Sequence, residues 1–290
     1  MGIIDGRLIA SQVKEQSKAD VEKLVKQGIT PGLAVILVGG DPASQVYVRN
    51  KGKACVELGM YAEQHNLPED TTEEQLLDLI EELNNKKIIH GILVQLPLPK
   101  HIDEKLVINA IAPEKDVDCF HPTNVGKVMT GHADILPCTP AGIIRLIQST
   151  GSEIAGKDCV VIGRSDIVGK PTAILMLHQN ATVTLCHSQT KNLAKICHRA
   201  DILISAVGVR NIVTKDMVKP GAIVIDVGMN HDENGKLCGD VDFANVKDVA
   251  GFITPVPGGV GPMTIQMLMK NTIDAAKQYN KSLFSKSYKK

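Results

Sequence analysis

The sequence predicts two α/β domains, the second a Rossmann-like, doubly wound and mostly parallel sheet, with a cleft between the domains. The chain of 290 residues is long enough for about two domains with separate cores. Short apolar runs alternate with helical stretches along it, which is typical of parallel α/β units. A glycine-bearing turn at 163–169 joins an apolar run to a helix, where Rossmann folds bind phosphate.

The first domain is assigned to residues 1–120, with a return of the chain at 265–290. Its first strand is predicted at 33–38, an apolar run that ends before two glycines. Asp41 is the N-cap residue, and Pro42 the first-turn residue, of a helix that reaches about Leu58. Three more elements follow, namely a helix that begins with the capping-box pair Thr72 and Gln75 and reaches about residue 83, a strand at 88–95 that ends before Pro97, and a helix at 103–111.

The second domain is assigned to residues 121–264. Thr139 and Pro140 begin a helix that reaches about residue 148. Four apolar runs with helices between them predict strands at 158–162, 182–185, 201–207 and 222–227. A last helix is predicted from Pro262 to about Tyr279, and the basic, aperiodic tail at 280–290 is expected to be frayed.

Composition excludes several classes of partner. The chain has 32 Lys and Arg against 32 Asp and Glu, so its formal net charge is zero, which argues against nucleic acid or an anionic membrane as a partner. No apolar run reaches about 18 residues, and the start lacks the basic and apolar regions of a secretory signal. The sequence therefore predicts no nucleic-acid partner and no membrane partner.

Cysteine and histidine usage indicates a reducing compartment and no metal. The seven cysteines are scattered, odd in number and without a C-x-x-C pair, so reduced thiols in the cytoplasm are the simplest interpretation. The nine histidines are dispersed. The pairs Cys186-His187 and Cys197-His198 lack the spacing of a four-coordinate site, so no metal ligand is predicted.

The turn that begins at Gly163 is the candidate phosphate-binding site. Its position between a strand and a helix N-terminus fits a bound pyrophosphate. The G-x-G-x-x-G pattern is absent, because Ser165 and Val168 stand where the second and third glycines would be. Taken alone, the turn fits an ordinary strand–helix connection equally well.

The end of the next strand bears on which cofactor is bound. NAD sites place a carboxylate about 20 residues after the turn, on the ribose 2′-hydroxyl. Here that position reads Cys186-His187-Ser188, with no carboxylate. Arg164 and Ser188 can instead receive a 2′-phosphate, which a guanidinium binds strongly. The chemistry therefore favours NADP.

A lysine and a tyrosine share one face of the helix that follows Asp41. Tyr47 and Lys51 are four residues apart, on the side that also carries Ala54 and Leu58. Partial desolvation there favours a neutral amine, so Lys51 is a candidate proton acceptor. The alternatives stay open: a lone lysine more often extends past the core edge into water, and a lone tyrosine is more often core packing.

Gln95 and Asp118 are further polar candidates. Gln95 ends a predicted strand, where open α/β sheets bind ligands, although a glutamine there can equally be a loop hydrogen bonder. Asp118 follows Asp116 in a loop that looks exposed, and alone it reads as a turn residue.

The run at 255–264 has three glycines and three prolines in ten residues. Such a loop is irregular, and its glycines allow the backbone to approach a ligand closely. The alternative is a rigid connector between the two domains.

Three segments, 47–51, 94–99 and 255–264, together resemble the bifunctional methylenetetrahydrofolate dehydrogenase/methenyltetrahydrofolate cyclohydrolase family, and the resemblance extends from residue 4 to about residue 279. It implies an enzyme that oxidises 5,10-methylenetetrahydrofolate with NADP and hydrolyses the 5,10-methenyl product to 10-formyltetrahydrofolate. It implies folate binding and catalysis in the first domain, NADP binding in the second, a last helix that packs on the first domain, and a homodimer.

The resemblance also implies roles for individual residues. Lys51 would act in proton transfer, Gln95 would tune it by hydrogen bonding, Tyr47 would stack on the folate, and Asp118 would bind the amino edge of the pterin. Pro257, Gly258 and Gly259 would line the opposite wall. The implied NADP contacts are Thr139, Gly163, Arg164, Ser165, Ser188, Val207, Gly208 and Met229. Two positions depart from the family pattern: Met229 replaces the commoner Ile, and Cys119 replaces a Gly that tolerates positive φ.

Two other functions remain open on the residues alone. One is a dehydrogenase of the same fold that acts on another small substrate, with Lys51 as a generic base. The other is a catalytically silent dinucleotide-binding or redox-sensing module that uses its thiols. The set Tyr47, Lys51, Gln95 and Asp118 disfavours both, because neither function needs all four.

Overall fold

A computed structural model describes residues 2–287, apart from the side chains of Ala43 and of 281–287. Contacts divide the chain into two units. Unit A comprises Met1–Gln12 and Thr139–Thr264, and unit B comprises Val13–Cys138 and Ile265–Lys290. The division made from the sequence also ends the second domain at residue 264, but it began that domain at residue 121 and left the first twelve residues in the other unit.

The described strands are β1 (Gly2–Ile3), β2 (Gly32–Val38), β3 (Tyr61–Leu67), β4 (Gly91–Val94), β5 (Asp158–Ile162), β6 (Thr182–Cys186), β7 (Ile202–Ser205), β8 (Ile223–Asp226), β9 (Asn230–His231), β10 (Leu237–Cys238) and β11 (Phe252–Ile253). The described helices are α1 (Gly6–Lys26), α2 (Pro42–Glu57), α3 (Glu73–Asn85), α4 (Glu104–Ala110), α5 (Pro122–Thr130), α6 (Cys138–Gln148), α7 (Gly169–His178), α8 (Leu193–Cys197), α9 (Phe243–Val246) and α10 (Val260–Ser287), with a 3₁₀ turn at Lys215–Met217.

Unit A is built on a six-stranded parallel sheet in the order β1-β11-β8-β7-β5-β6. β7 and β8 are buried along their whole length, as strands covered on both faces must be. Their inward side chains join a core that includes Val160, Leu203 and Val224. The predicted Rossmann-like second domain is confirmed.

Unit B contains a three-stranded parallel sheet in the order β3-β2-β4. Every residue of β2 is buried, as its unbroken apolar run predicts. The capping box predicted for α3 is present, with Thr72 and Gln75 each bonded to the backbone of the other. From Ile265 onward α10 belongs to this unit, and its Lys277 Nζ lies 2.7 Å from the Asp20 carboxylate.

Several elements were not predicted, among them α1, β3 and α5. β3 reads Tyr-Ala-Glu-Gln-His-Asn-Leu, and its polar residues conceal the strand. The charged residue on the half-buried side of β3 is paired, since Glu63 accepts a hydrogen bond from Lys86 Nζ at 2.8 Å and lies 2.9 Å from His65 Nε2. An edge strand can carry such a charged side, whereas a central strand cannot.

Two ends of predicted elements were wrong. The strand predicted at 88–95 is confined to β4, because Ile89 N bonds to Lys86 O at 3.1 Å and forms a turn before the sheet. The backbone of the tail stays helical to Ser287 instead of fraying after Tyr279. The last residues of that predicted tail, 288–290, lie outside the described residues. No helix within residues 2–287 has both the length and the apolar character needed to cross a membrane.

Candidate active site

α2 positions two of the predicted site residues. The Asp41 side chain accepts a hydrogen bond from Ser44 N at 2.7 Å and caps the helix. Tyr47 and Lys51, one turn apart, are both half-buried, and burial raises the pKa of the Tyr47 hydroxyl. The neighbouring Arg49 and Lys53 are exposed.

Gln95 holds the Lys51 side chain. Gln95 follows β4 directly, and its backbone N–H donates to Ile36 O at 2.8 Å, which extends the pairing of β4 with β2. Lys51 Nζ donates to Gln95 Oε1 at 3.0 Å, and Gln95 Nε2 donates to Leu96 O at 2.7 Å. Because the amide nitrogen is bonded to a carbonyl, the amide oxygen is fixed toward the amine. A lysine held in this way is not merely extended into water.

Asp118 lies close to this pair. The sequence suggested an exposed loop, but Asp118 is half-buried between the buried Val117 and Cys119. Burial raises the pKa of the Asp118 carboxyl, the nearby Lys51 ammonium opposes that rise, and Asp116 adds to it. Lys51, Gln95 and Asp118 therefore form one polar cluster in unit B.

Asp116 and Cys119 shape the loop that carries Asp118. Asp116 is buried and accepts hydrogen bonds from His121 N at 2.8 Å and from Asn124 Nδ2 at 2.9 Å. Cys119 has φ of 63°, so the left-handed turn that usually falls to a glycine is kept here with a side chain. The Cys119 thiol donates to Ile135 O at 3.3 Å. The departure at Cys119 therefore leaves the turn in place.

Asn271 is a positioning residue that sequence reasoning missed. Its buried Nδ2 donates to Val117 O and to Leu136 O, both at 2.8 Å, and so fixes the backbone just before Asp118. The available signal was the spacing of Asn271, which lies three and four residues after the apolar Leu268 and Met267 and so on their side of α10. Beside Asp118 lies a small cavity whose other lining residues include Leu93, Val94, Leu96 and Phe120.

The candidate cofactor site lies at one edge of the unit A sheet. Ile162 of β5 pairs with Cys186 of β6 and with Ser205 of β7, and Ser205 pairs with Asp226 of β8. Four strands therefore end side by side, and the loops that follow them carry most of the predicted cofactor contacts. In parallel sheets this carboxyl edge is where dinucleotides bind.

The turn after β5 fits a bound dinucleotide. Gly163 has φ of 120°, and a Cβ on Gly169 would lie 2.1 Å from Gly163 O, so the backbone is as close as only glycine permits. Ser165 Oγ accepts hydrogen bonds from Val168 N and Gly169 N, both at 3.2 Å, and orders the entrance to α7. This geometry is a close strand–helix turn of the kind that binds phosphate.

The residues around this turn fit NADP in particular. Arg164 and Ser188 are both exposed, after the adjacent strands β5 and β6. No carboxylate occurs among residues 186–190 to repel a 2′-phosphate.

The other predicted residues of unit A lie in four places. Val207 and Gly208 follow β7, and Met229, which is 50% exposed, follows β8. Thr139 Oγ1 lies 3.0 Å from Thr264 Oγ1. In the loop at 255–264, Gly258 has φ of 108°, and a Cβ on Gly259 would lie 2.6 Å from Pro255 O. Pro257, Gly258 and Gly259 belong to unit A, whereas Tyr47, Lys51, Gln95 and Asp118 belong to unit B.

Three of the buried thiols offer little redox chemistry. Burial raises the pKa of Cys55, Cys159 and Cys197 to about 12, so these thiols stay protonated at neutral pH. This disfavours the redox-sensing alternative. Within residues 2–287, no three His, Cys, Asp or Glu side chains converge as metal ligands.

Two family models match the chain. The catalytic-domain model of tetrahydrofolate dehydrogenase/cyclohydrolase matches residues 4–118, and the NAD(P)-binding-domain model of the same name matches residues 137–280. A Listeria innocua protein named Bifunctional protein FolD is 61% identical over 276 residues, which cover 95% of this chain and 97% of the relative. The protein of that name from Acetivibrio thermocellus is 58% identical over 275 residues, with 95% and 96% covered.

Solved structures give the same result. The bifunctional methylenetetrahydrofolate dehydrogenase/cyclohydrolase FolD from Campylobacter jejuni superposes with a TM-score of 0.94 at 48% identity, covering 96% of this chain and 99% of that one. The enzyme from Trypanosoma brucei, solved with NADP and an inhibitor, has a TM-score of 0.92 at 41% identity, with 95% and 97% covered.

Proposed function

Because the chain belongs to the tetrahydrofolate dehydrogenase/cyclohydrolase family, we propose that Lys51, Gln95 and Asp118 are the residues with which it binds and converts folate. The protein is bifunctional: it oxidises 5,10-methylenetetrahydrofolate with NADP, and it hydrolyses the 5,10-methenyl product to 10-formyltetrahydrofolate. The observation that carries the proposed site is the Lys51 amine held 3.0 Å from Gln95 Oε1 near the Asp118 carboxylate.

The hydrolysis needs one proton acceptor. The methenyl bridge is a cation and already electrophilic, so water can attack its carbon once a base removes a proton. Lys51 accepts that proton while the Gln95 oxygen orients the amine. The bond from the bridge carbon to N5 then breaks as N5 takes a proton back from Lys51. The hydroxyl on the bridge carbon loses its proton to solvent and becomes the carbonyl of the formyl group, which stays on N10. The net reaction consumes one water and releases one proton.

The oxidation depends mainly on position. NADP, when bound, accepts the hydride of the methylene bridge. The contribution of the chain is to orient the reactants: Asp118 accepts hydrogen bonds from the pterin amino edge, and Tyr47 stacks on the folate. Pro257, Gly258 and Gly259 are further proposed substrate-binding residues. The cofactor is held by eight residues of unit A, namely Thr139, Gly163, Arg164, Ser165, Ser188, Val207, Gly208 and Met229.

The direct test is to mix the enzyme with methylenetetrahydrofolate and NADP and to follow NADPH, the methenyl compound and 10-formyltetrahydrofolate together. We expect the amount of NADPH to equal the sum of the methenyl compound and 10-formyltetrahydrofolate, with 10-formyltetrahydrofolate forming faster than by uncatalysed hydrolysis. A dehydrogenase of another small substrate would form none of the three, and formation of NADPH with no hydrolysis beyond the uncatalysed rate would contradict the role given to the Lys51 cluster.

Folate binding should depend on pH through Asp118. The ionised carboxylate accepts hydrogen bonds from the pterin N–H groups. A protonated carboxyl instead turns an O–H toward those N–H groups, so the affinity for folate should fall as the pH falls through the pKa of Asp118. Because burial raises that pKa, the loss should begin at a higher pH than for an ordinary aspartate. We expect Asp118→Asn to bind a folate analogue at least about tenfold more weakly at neutral pH and without this loss.

The measurement is titration of the analogue across acidic pH with both proteins, so that ionisation of the analogue itself affects both curves equally. NADP affinity of Asp118→Asn should stay at the wild-type value. The same pH dependence in the variant and the wild type would show that another group binds the pterin.

We further propose that the protein is a homodimer joined through β6. β6 has one neighbour, β5, in the described sheet. Thr182 N and Cys186 O bond toward β5, both at 2.9 Å, so the intervening Val183 and Leu185 direct their backbone groups away from it. The other long edge strand, β3, carries the charged side of Glu63, whereas β6 does not. A two-fold axis beside β6 would join two sheets into one.

Leu185→Pro tests the dimer, since it removes an outward N–H without touching the pairing of β6 with β5. We expect Leu185→Pro to elute as a monomer in size exclusion with light scattering. Leu185→Ala loses the same packing but keeps the N–H, and it should remain a dimer. A monomeric wild type would refute the dimer, and a dimeric Leu185→Pro would show that the dimer interface does not lie along β6.

We assign the protein to the cytoplasm. The support is the absence of disulfides among its seven cysteines, six of which are buried.

A further inference from the structure

A buried aspartate holds, by hydrogen bonds, the loop that carries two of the proposed cofactor contacts, Val207 and Gly208. Asp240 is fully buried in unit A. Its Oδ2 accepts hydrogen bonds from Ser205 Oγ at 3.0 Å, Val207 N at 2.9 Å and Gly208 N at 3.3 Å. Its Oδ1 accepts from Val209 N at 2.9 Å and Asn230 Nδ2 at 3.0 Å.

Three of these donors are consecutive backbone amides of the loop that follows β7. Successive N–H groups that point to one centre form a concavity that attracts an anion. Here the chain fills that concavity with its own carboxylate, so the loop at 207–209 has its shape set by Asp240. The bond from Asn230 ties the segment after β8 to the same carboxylate.

Asp226 locks Asp240 in place from the end of β8. The Asp226 carboxylate accepts hydrogen bonds from Gly228 N, Asp240 N and Val241 N, each at 2.9 Å. The packing leaves no room for side chains, since a Cβ on Gly228 would lie 2.1 Å from Asp240 Oδ1 and a Cβ on Gly239 would lie 1.9 Å from Asp226 Oδ2. The two aspartates and two glycines are therefore mutually required.

The sheet order indicates which half of the cofactor lies above this cluster. Arg164 and Ser188, the candidate 2′-phosphate residues, follow β5 and β6, and β7 and β8 lie on the other side of β5. A dinucleotide bound across the carboxyl edge with its adenosine half above β6 has its nicotinamide half above β7 and β8. That is where Val207, Gly208 and Met229 lie.

We propose that Asp240 is a positioning residue for hydride transfer, which fixes the loops after β7 and β8 and thereby sets where the nicotinamide lies. The inference rests on the proposed cofactor contacts Val207, Gly208 and Met229. It predicts a defect confined to one half of the cofactor and to one of the two activities.

The test is Asp240→Asn, which keeps the shape but replaces one acceptor oxygen by an amide that faces other donors. We expect kcat/KM for NADP in the dehydrogenase reaction to fall about tenfold or more. Affinity for 2′-phospho-ADP-ribose, which lacks the nicotinamide, should stay within about twofold of wild type. Hydrolysis of added methenyltetrahydrofolate should also be unchanged, because Lys51, Gln95 and Asp118 lie in unit B and the hydrogen bonds of the Asp240 carboxylate go to residues 205–209 and 230, not to the loop at 255–264. A merely structural loss would lower all three together.

Two further variants separate the possible failures. Asn230→Ala frees only the β8 loop and should give the same pattern with a smaller loss, which tests the inference if Asp240→Asn does not fold. Met229→Ala probes the cofactor contact itself. Weaker NADP binding in Met229→Ala with none in Asp240→Asn would overturn the inference and leave the cofactor site standing. No effect in either variant would overturn the proposed contacts as well, and parallel loss of both activities in a folded Asp240→Asn would overturn the positioning role.

Discussion

Lys51→Met should reduce hydrolysis of added methenyltetrahydrofolate by about 10²–10⁴-fold, the contribution that a positioned acid–base group typically makes. Methionine keeps the length and apolar stem of the side chain but removes the amine, which donates a hydrogen bond to Gln95 Oε1 at 3.0 Å. Because Lys51 is half-buried, an apolar replacement should leave α2 folded. Hydride transfer should survive better, since a positioned substrate can react if the amine serves only the water.

The measurement assays the two half-reactions separately on purified, folded protein. Lys53→Met is the matched control, because Lys53 lies on the same helix with its side chain 75% exposed and paired only loosely with Glu57. The control should keep both activities. If Lys51→Met retains most of its cyclohydrolase activity, Lys51 is an ordinary lysine at the core edge.

Arg164→Ala should weaken NADP binding by roughly ten- to 150-fold and leave NAD binding nearly unchanged. A hydrogen bond to a charged group is worth about 1.5–3 kcal/mol, and the guanidinium of an exposed arginine beside the β5 turn would be the main partner of the 2′-phosphate. Ser188 contributes a smaller neutral hydrogen bond. A carboxylate at this position, as in Ser188→Asp, should repel the 2′-phosphate and shift the selectivity of the enzyme from NADP toward NAD.

Titration with NADP and with NAD checks this selectivity. Lys157→Ala is the control for a general loss of positive charge, because Lys157 is exposed just before β5, at the opposite edge of the sheet. Equal losses for the two cofactors in Arg164→Ala would refute the assignment of the 2′-phosphate site.

The parts of the fold with strong local signals were predictable. β2 is a continuous apolar run, β5 is apolar after Asp158, and α2 and α3 begin with capping residues that the structure retains. β3 escaped because its charges are satisfied by neighbours distant in sequence, such as Lys86 on Glu63. The sequence of the strand alone, residues 61–67, does not show that Lys86 pairs with Glu63.

The candidate site divides in the same way. Helical spacing placed Tyr47 and Lys51 on one face, and the end of a strand placed Gln95 at the ligand edge. The bond between Lys51 and Gln95 joins residues 44 apart in sequence, and the bond from Asn271 to Val117 joins residues 154 apart, so neither is visible in local pattern. Asp118 was judged exposed because polar neighbours suggest a solvated loop, whereas the carbonyl before it is bound by Asn271 of α10.

The most direct test of the site is a crystal structure of the protein with NADP and a folate analogue. We expect the pterin amino edge on the Asp118 carboxylate, the atoms of the one-carbon bridge beside Lys51 Nζ, and the 2′-phosphate on Arg164 and Ser188. An analogue bound with its pterin away from Asp118 and its bridge out of reach of Lys51 would contradict the assignment of the catalytic site.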